Sequence, residues 1–245
     1  FLYLFPGSLL GIIIYDNKNI QPQLTPDFFI SSNHFYVFTL ISIIGFLSFI
    51  KKKHIRLLGL AKLLHYYGGM LIPNSTIVMK DILPIYKSGL LDKDFFTVET
   101  TNRNVTSDNV DFFPNVELMA CVKNSSVMGE FVQFLENLNS IDYTNEMDFL
   151  GQANRWLFKG ILEKKIFLMN GQIFGTKDKY NKNVLIEDLL GESYVHFDKD
   201  FYAIYIPHEE VIKRSKYQWF ARLSKRQLYE SNIIISKHLI VSHTS

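Results

Sequence analysis

The sequence predicts a two-part chain: an α-helical membrane segment with two or three transmembrane helices over residues 1–72, then a soluble α+β domain over residues 73–245. Three observations lead there. Residues 28–50 run for 23 positions without Asp, Glu, Lys or Arg. At 1.5 Å rise per residue a helix of that length reaches roughly 34 Å, enough for a hydrocarbon core of about 30 Å. Lys51, Lys52, Lys53 and Arg56 follow directly, as the positive-inside rule expects of a cytoplasmic flank. From Pro73 onward, helical and strand patterns mix without a strict βαβα repeat.

Whole-chain averages hide this split. The 245 residues hold 26 Lys+Arg against 24 Asp+Glu, are 47% hydrophobic and have a mean hydropathy of +0.05. High apolar content with one cysteine excludes disulfide-stapled, collagen-like and strongly disordered classes. A formal charge of +2 argues against a wholly basic nucleic-acid binder.

The elements follow in order. Residues 1–15 are uncharged but shorter than the roughly 17–25 residues a span needs. The chain opens on Phe rather than Met, so this helix is expected to continue upstream. Residues 16–27, with Pro22 and Pro26, read as an extramembrane loop. Residues 57–72 carry Lys62 and His65 and fit a third span or an interfacial amphipathic helix, with a crossing preferred.

Beyond them, Val127, Phe131, Phe134, Leu135 and Leu138 recur at helical spacing after Ser126. A second helix is expected over 142–165, with a core stripe of Met147, Leu150, Leu157, Phe158, Ile161 and Leu162. Asn170-Gly171 between apolar runs predicts a β-hairpin over 166–176 with a type I′ turn. Strands are expected at 194–197, 201–206 and 233–241, and Pro207 opens a short helix through HEEVIKR.

Candidate chemistry is sparse. His196, Asp198 and Asp200 alternate, which on a strand would place them on one face with ligand-type N and O atoms. A hairpin turn at 198–200, between two apolar runs, is the plainer reading, so no metal site and no cofactor are assigned. His208-Glu209-Glu210 lacks the second histidine of a zinc-protease helix, and there is no GxSxG, P-loop or GxGxxG. No catalytic residue is assigned. Cys121, in the apolar run VELMACV, reads as a buried thiol. His34 lies near the extramembrane end of the uncharged stretch 28–50, where water can reach it.

The remaining signal is basic and aromatic. Residues 210–245 hold seven Lys/Arg against two acids. Lys213, Arg214, Lys216, Arg222, Lys225 and Arg226 interleave there with Tyr217, Trp219 and Phe220. With Lys51, Lys52, Lys53 and Arg56, this stretch (Trp219 included) is the candidate contact for lipid or a partner subunit.

The layout of residues 1–82 resembles the membrane core of VanZ-like proteins, bacterial multi-pass proteins linked to glycopeptide resistance. The features are Pro6-Gly7-Ser8 in the first apolar stretch, Asn33-His34-Phe35 opening the second, and Ile72-Pro73-Asn74 followed by Asp81. The chain departs from that pattern where Lys62 stands in the neighbourhood of an expected acidic residue. The resemblance implies a multi-pass membrane protein and covers a third of the chain.

These readings combine into an expected function: a membrane-anchored, non-catalytic binding or assembly protein of a bacterial or organelle inner membrane. Its expected partners are membrane lipid and proteins in the bilayer; nucleic acid is disfavoured. Two alternatives stand beside it. Phe 21 and Tyr 13, with abundant Ile, Asn and Lys, match an AT-rich coding sequence and an accessory subunit of a mitochondrial or bacterial respiratory complex. A membrane-tethered solute-binding domain would carry a pocket lined by Trp156, Trp219 and charged residues.

Overall fold

Helix α1 (Lys53–Tyr67) opens the main described body and buries Leu57, Leu60, Ala61 and Leu64. The computed structural model describes residues 10–13, 53–101, 112–140 and 149–244. Ahead of α1 in the chain, β1 (Leu10–Ile13) is a short edge strand. The helix stops at Gly68, whose φ of +73° is open to glycine at little cost. A Cβ there would lie 2.7 Å from the backbone nitrogen of Lys123, so the close approach also requires glycine. The chain then enters β2 (Gly69–Pro73), buried along its whole length.

The following elements are β3 (Thr76–Val78), α2 (Leu83–Gly89), β4 (Phe95–Glu99) and β5 (Pro114–Cys121). Two amphipathic helices come next, α3 (Ser126–Ser140) and α4 (Phe149–Leu162), then β6 (Phe167–Met169) and a 3-10 turn at Gly171–Phe174. The C-terminal part holds α5 (Ile186–Leu190), β7 (Ala203–Tyr205), α6 (His208–Lys213), α7 (Gln218–Ala221), α8 (Lys225–Glu230) and α9 (Ile234–Thr244).

A five-stranded sheet in the order β1-β2-β5-β4-β6 organises the fold, antiparallel except where β6 runs parallel to β4. Strand alternation assigns side chains to two cores. Leu71, Phe95 and Met119 point to one face, where they meet α1, α3 and α4 through Leu64, Phe131 and Leu157. Met70, Ile72, Phe96 and Ala120 point to the other face, against Ile85 of α2 and Phe174 of the 3-10 turn. The β3–β7 ribbon carries a third core, in which Ile77 and Ile204 meet Leu189, Val211, Leu228 and Ile234.

This architecture corrects the expected one. Among the described residues no helix is long and apolar enough to cross a membrane, which overturns the transmembrane, multi-pass reading there. Residues 57–72 are apolar for another reason. They comprise most of a core helix and most of an inner strand covered on both faces, so two different burial patterns join into one hydrophobic run. Lys62 pairs with Glu136 at 2.6 Å, and the ring Nδ1 of His65 lies 3.1 Å from the Ser125 carbonyl. The uncharged stretch 28–50, His34 and the Pro6-Gly7-Ser8 and Asn33-His34-Phe35 motifs lie outside the described residues.

Local predictions fared unevenly. Both amphipathic helices form, with residues 141–148 outside the description. The 166–176 hairpin does not. Asn170 has φ −59° and ψ 135°, far from a type I′ turn, and its side chain caps the 3-10 turn by accepting from Gln172 N at 2.9 Å. Strand β6 instead finds its partner in β4, next to the buried Phe96 and Val98. The expected strand at 233–241 is largely helix α9, because Ile233, Ile234 and Ile235 all bury into the third core. Residues 194–197 form no strand, whereas β7 falls inside the expected 201–206 and α6 begins after Pro207.

The third core also holds a titratable group. His238 of α9 stands edge-on to Phe197 at 5.2 Å and to Phe201 at 5.9 Å. Burial lowers its pKa from the ordinary 6.5. The unfolded chain therefore takes up this proton more readily. Its contribution is fully present above about pH 6.5 and is lost as pH falls through the lower folded value. Urea denaturation of the wild type between pH 7.5 and 5 is expected to show a loss that His238→Phe reduces. Equal pH slopes in the two proteins would discount this assignment.

Candidate functional site

Three places gather chemically useful side chains. The first arises from a break in the β4–β5 ladder. Val98 pairs with Asn115, but Thr97 pairs with Met119, so Val116, Glu117 and Leu118 have no partner on β4. Such bulges re-aim side chains. The Thr97 hydroxyl lies 2.9 Å from Asn115 O and 3.1 Å from Leu118 O, serving carbonyls at the break. Asn115 Oδ1 accepts from Glu117 N at 2.8 Å, and Asn154 Oδ1 accepts from Val116 N at 3.2 Å.

Glu117 thereby faces His208, the first residue of α6, with Oε2 4.0 Å from Nδ1. Ser75 follows β2 and has its Oγ 3.3 Å from the same Nδ1. Its carbonyl accepts from Ile206 N at 2.8 Å, which registers the two segments. Arg56 of α1 adds positive charge near Glu117; burial lowers its pKa and the carboxylate opposes that shift. Ser, His and Glu are the residue types of a hydrolytic triad, but a relay needs serine and carboxylate on opposite ring nitrogens. Here both approach Nδ1. The arrangement works as a polar tether between the sheet and the C-terminal part. It contains His208 of the motif noted in sequence, whereas Ser75 and Glu117 were missed. The signal for Glu117 was a lone carboxylate inside the apolar run VELMACV.

The second place is a surface of aromatic rings. Tyr180 is 69% exposed and Tyr194 73% exposed. His196 meets both edge-on, with its ring 4.9 Å from Tyr194 and 6.2 Å from Tyr180. The supporting loop is well bonded. Asp178 Oδ1 accepts from Tyr180 N at 2.8 Å and from Lys182 N at 2.9 Å, and Lys179 N donates to His196 O at 2.8 Å. The Lys179 ammonium stands 4.8 Å from the Tyr180 ring centre.

The third is a groove of about 320 Å³ between α2, the 3-10 turn and the segment 198–202. Asp198 and Asp200 line it, and Asp198 Oδ1 accepts from Asp200 N at 2.9 Å. A turn does lie at 198–200, but it is not the hairpin turn expected there, because 194–197 form no strand and β7 pairs with β3. The strand face shared by His196, Asp198 and Asp200 does not form, because residues 194–197 have no strand partner.

Several of the basic candidates meet an acid or a ring close by. Lys51 and Lys52 lie outside the described residues, Lys53 opens α1 and Lys213 closes α6. Arg214 meets Glu210 at 3.7 Å, Lys216 meets Glu187 at 3.6 Å, and Arg226 meets Glu230 at 2.7 Å. Lys225 stands 5.8 Å from the Tyr229 ring, and Arg222 follows α7. Local acids therefore offset part of this charge. Trp156 packs on Phe131 against the first core, while Trp219, 45% exposed, meets Phe220, which packs against the third core. Cys121 is buried, with Sγ 3.2 Å from Leu64 O, and burial pushes its thiol pKa up.

No family model matches this chain, and neither the curated proteins nor the solved structures include one similar to it.

Proposed function

We propose that this chain is a non-catalytic binding or assembly protein whose protein partner docks on the Tyr180–His196–Tyr194 surface. The exposed tyrosine pair carries this reading. Tyrosines bring large contact area at low conformational cost and are enriched among the residues that dominate interface energies. The bonded loop beneath them supports the same conclusion, since an ordered surface loses less entropy on docking. The Ser75–Glu117–His208 cluster does not favour an enzymatic reading, because its serine and carboxylate compete for one nitrogen.

The test is comparative. Tagged wild type and a Tyr180→Ala/Tyr194→Ala variant are purified in parallel from the source cells in mild detergent, and co-purifying proteins are quantified by mass spectrometry. A stoichiometric partner is expected with the wild type and at least tenfold less of it with the variant. Because both rings are exposed, unfolding stability is expected to change by less than about 0.5 kcal/mol per site. Recovery of the wild type as a lone species, or equal partner recovery by both proteins, would sink the proposal.

A further inference from the structure

The groove between α2 and the segment 198–202 offers a ligand site independent of the aromatic surface. Its volume of about 320 Å³ is at the small end of the range for small-molecule sites. Pro84, Ile85 and Ile173 supply apolar wall. The polar wall is rich in acceptors. The Ser88 hydroxyl donates to Ile85 O at 3.1 Å, which uses its hydrogen and leaves oxygen lone pairs. The Gln172 amide donates to Asp178 O at 3.0 Å. Asp198 and Asp200, when ionised, can only accept.

The wall is held in place on both sides. Tyr202 N donates to Ile173 O at 2.9 Å, and the 198–200 turn fixes Asp198 relative to Asp200. Lys80 is a nearby cation but does not line the groove. Its ammonium donates to Lys199 O at 2.8 Å and stands 5.3 Å from the Tyr202 ring centre, so that ring already takes part in a cation–π contact. We infer that this groove binds a small organic cation, an ammonium group carried on a compact apolar body. The ammonium donates to the Asp198 and Asp200 carboxylates, and the apolar body lies against Pro84, Ile85 and Ile173.

The test uses three probes of one shape and different charge on the full chain: 2-phenylethylamine, 2-phenylethanol and phenylacetate. Binding is followed by NMR shifts of the Ile85 and Ile173 methyl groups. The amine is expected to bind at least tenfold tighter than the alcohol, with phenylacetate weaker than both. Asp198→Asn keeps a side-chain oxygen for the Asp200 N–H, so an Asp198→Asn/Asp200→Asn variant retains the turn while losing the charge. In that variant the amine's advantage is expected to vanish while the alcohol binds as before. Equal affinities of amine and alcohol for the wild type, an amine preference that survives in the variant, or no shift with any probe would each overturn the inference. The partner purification is unaffected by these outcomes, so the two proposals fail separately.

Discussion

Lys177→Met is expected to destabilise the fold by roughly 3 kcal/mol, because it strands a buried carboxylate. Glu99 ends β4 with its side chain only 9% exposed, and Lys177 is 20% exposed. Their charged atoms lie 2.6 Å apart. The second carboxylate oxygen accepts from Gly171 N at 3.4 Å, and the backbone carbonyl of Glu99 accepts from the Thr176 hydroxyl at 2.7 Å. The pair thus joins the end of a central strand to the segment after the 3-10 turn. Removing the lysine leaves Glu99 with one weak donor in a poorly hydrated place.

A double variant, Glu99→Gln/Lys177→Met, removes both charges and is expected to recover more than half of the loss. Urea titrations of wild type, both single variants and the double variant give the coupling energy. A single-variant cost below about 1 kcal/mol, or costs that simply add in the double, would show that the pair is no more than a surface contact.

Phe131→Ala is expected to cost about 3–5 kcal/mol through lost burial and the cavity left behind. Phe131 is fully buried on α3, where it links the helical layer to the sheet. Its ring centre lies 4.9 Å from Trp156, 6.3 Å from Phe134 and 6.4 Å from Phe95, so one truncation removes contacts to α4, to its own helix and to β4. Trp156 reports on the same event. Its fluorescence is expected to shift to longer wavelength in the variant as water reaches the indole, while the spectrum of Trp156→Phe, which retains Trp219, isolates the other contribution. A loss under about 1.5 kcal/mol with an unchanged Trp156 spectrum would mean that the first core closes over the gap.

Periodicity read the helices well where one stripe meets one layer. Of the expected positions Val127, Phe131, Phe134, Leu135 and Leu138, all but the half-buried Phe134 are buried, whereas Leu162, expected in the core stripe of α4, is 62% exposed at that helix's end. The same reasoning failed where a segment is covered from two sides. In residues 57–72 a core helix and an inner strand run together, and a largely apolar sequence looks alike whether protein or lipid supplies the cover. Asn170-Gly171 misled in a different way. The dipeptide is favourable for a hairpin, but the strand before it gains more by pairing in parallel with β4 than by turning back on itself.

The candidate sites were legible only in part. His208 and the Asp198–Asp200 turn stood out as polar residues among apolar runs, and each lies in one of the clusters described here. Tyr180 and Tyr194 gave no warning, since tyrosines in a chain rich in them are indistinguishable from core residues until exposure is known. The basic stretch 213–226 read as a coherent patch, yet Glu187, Glu210 and Glu230 approach it from α5, α6 and α8.

The sequence by itself determined the local matters: the amphipathic helices α3 and α4, the start of α6 after Pro207, the turn at Asp198–Asp200 and the buried state of Cys121. Each depends on residues near one another in the chain, whose spacing and turn chemistry act at short range. Tertiary structure alone decided that residues 57–72 belong to the core, that β6 pairs with β4, and that 234–244 is helical. It also decided that Ser75, Glu117 and His208 meet at one nitrogen. Those outcomes turn on which distant surface covers a segment. Sequence separations of 42, 91 and 133 residues between the members of that cluster leave no local pattern to read.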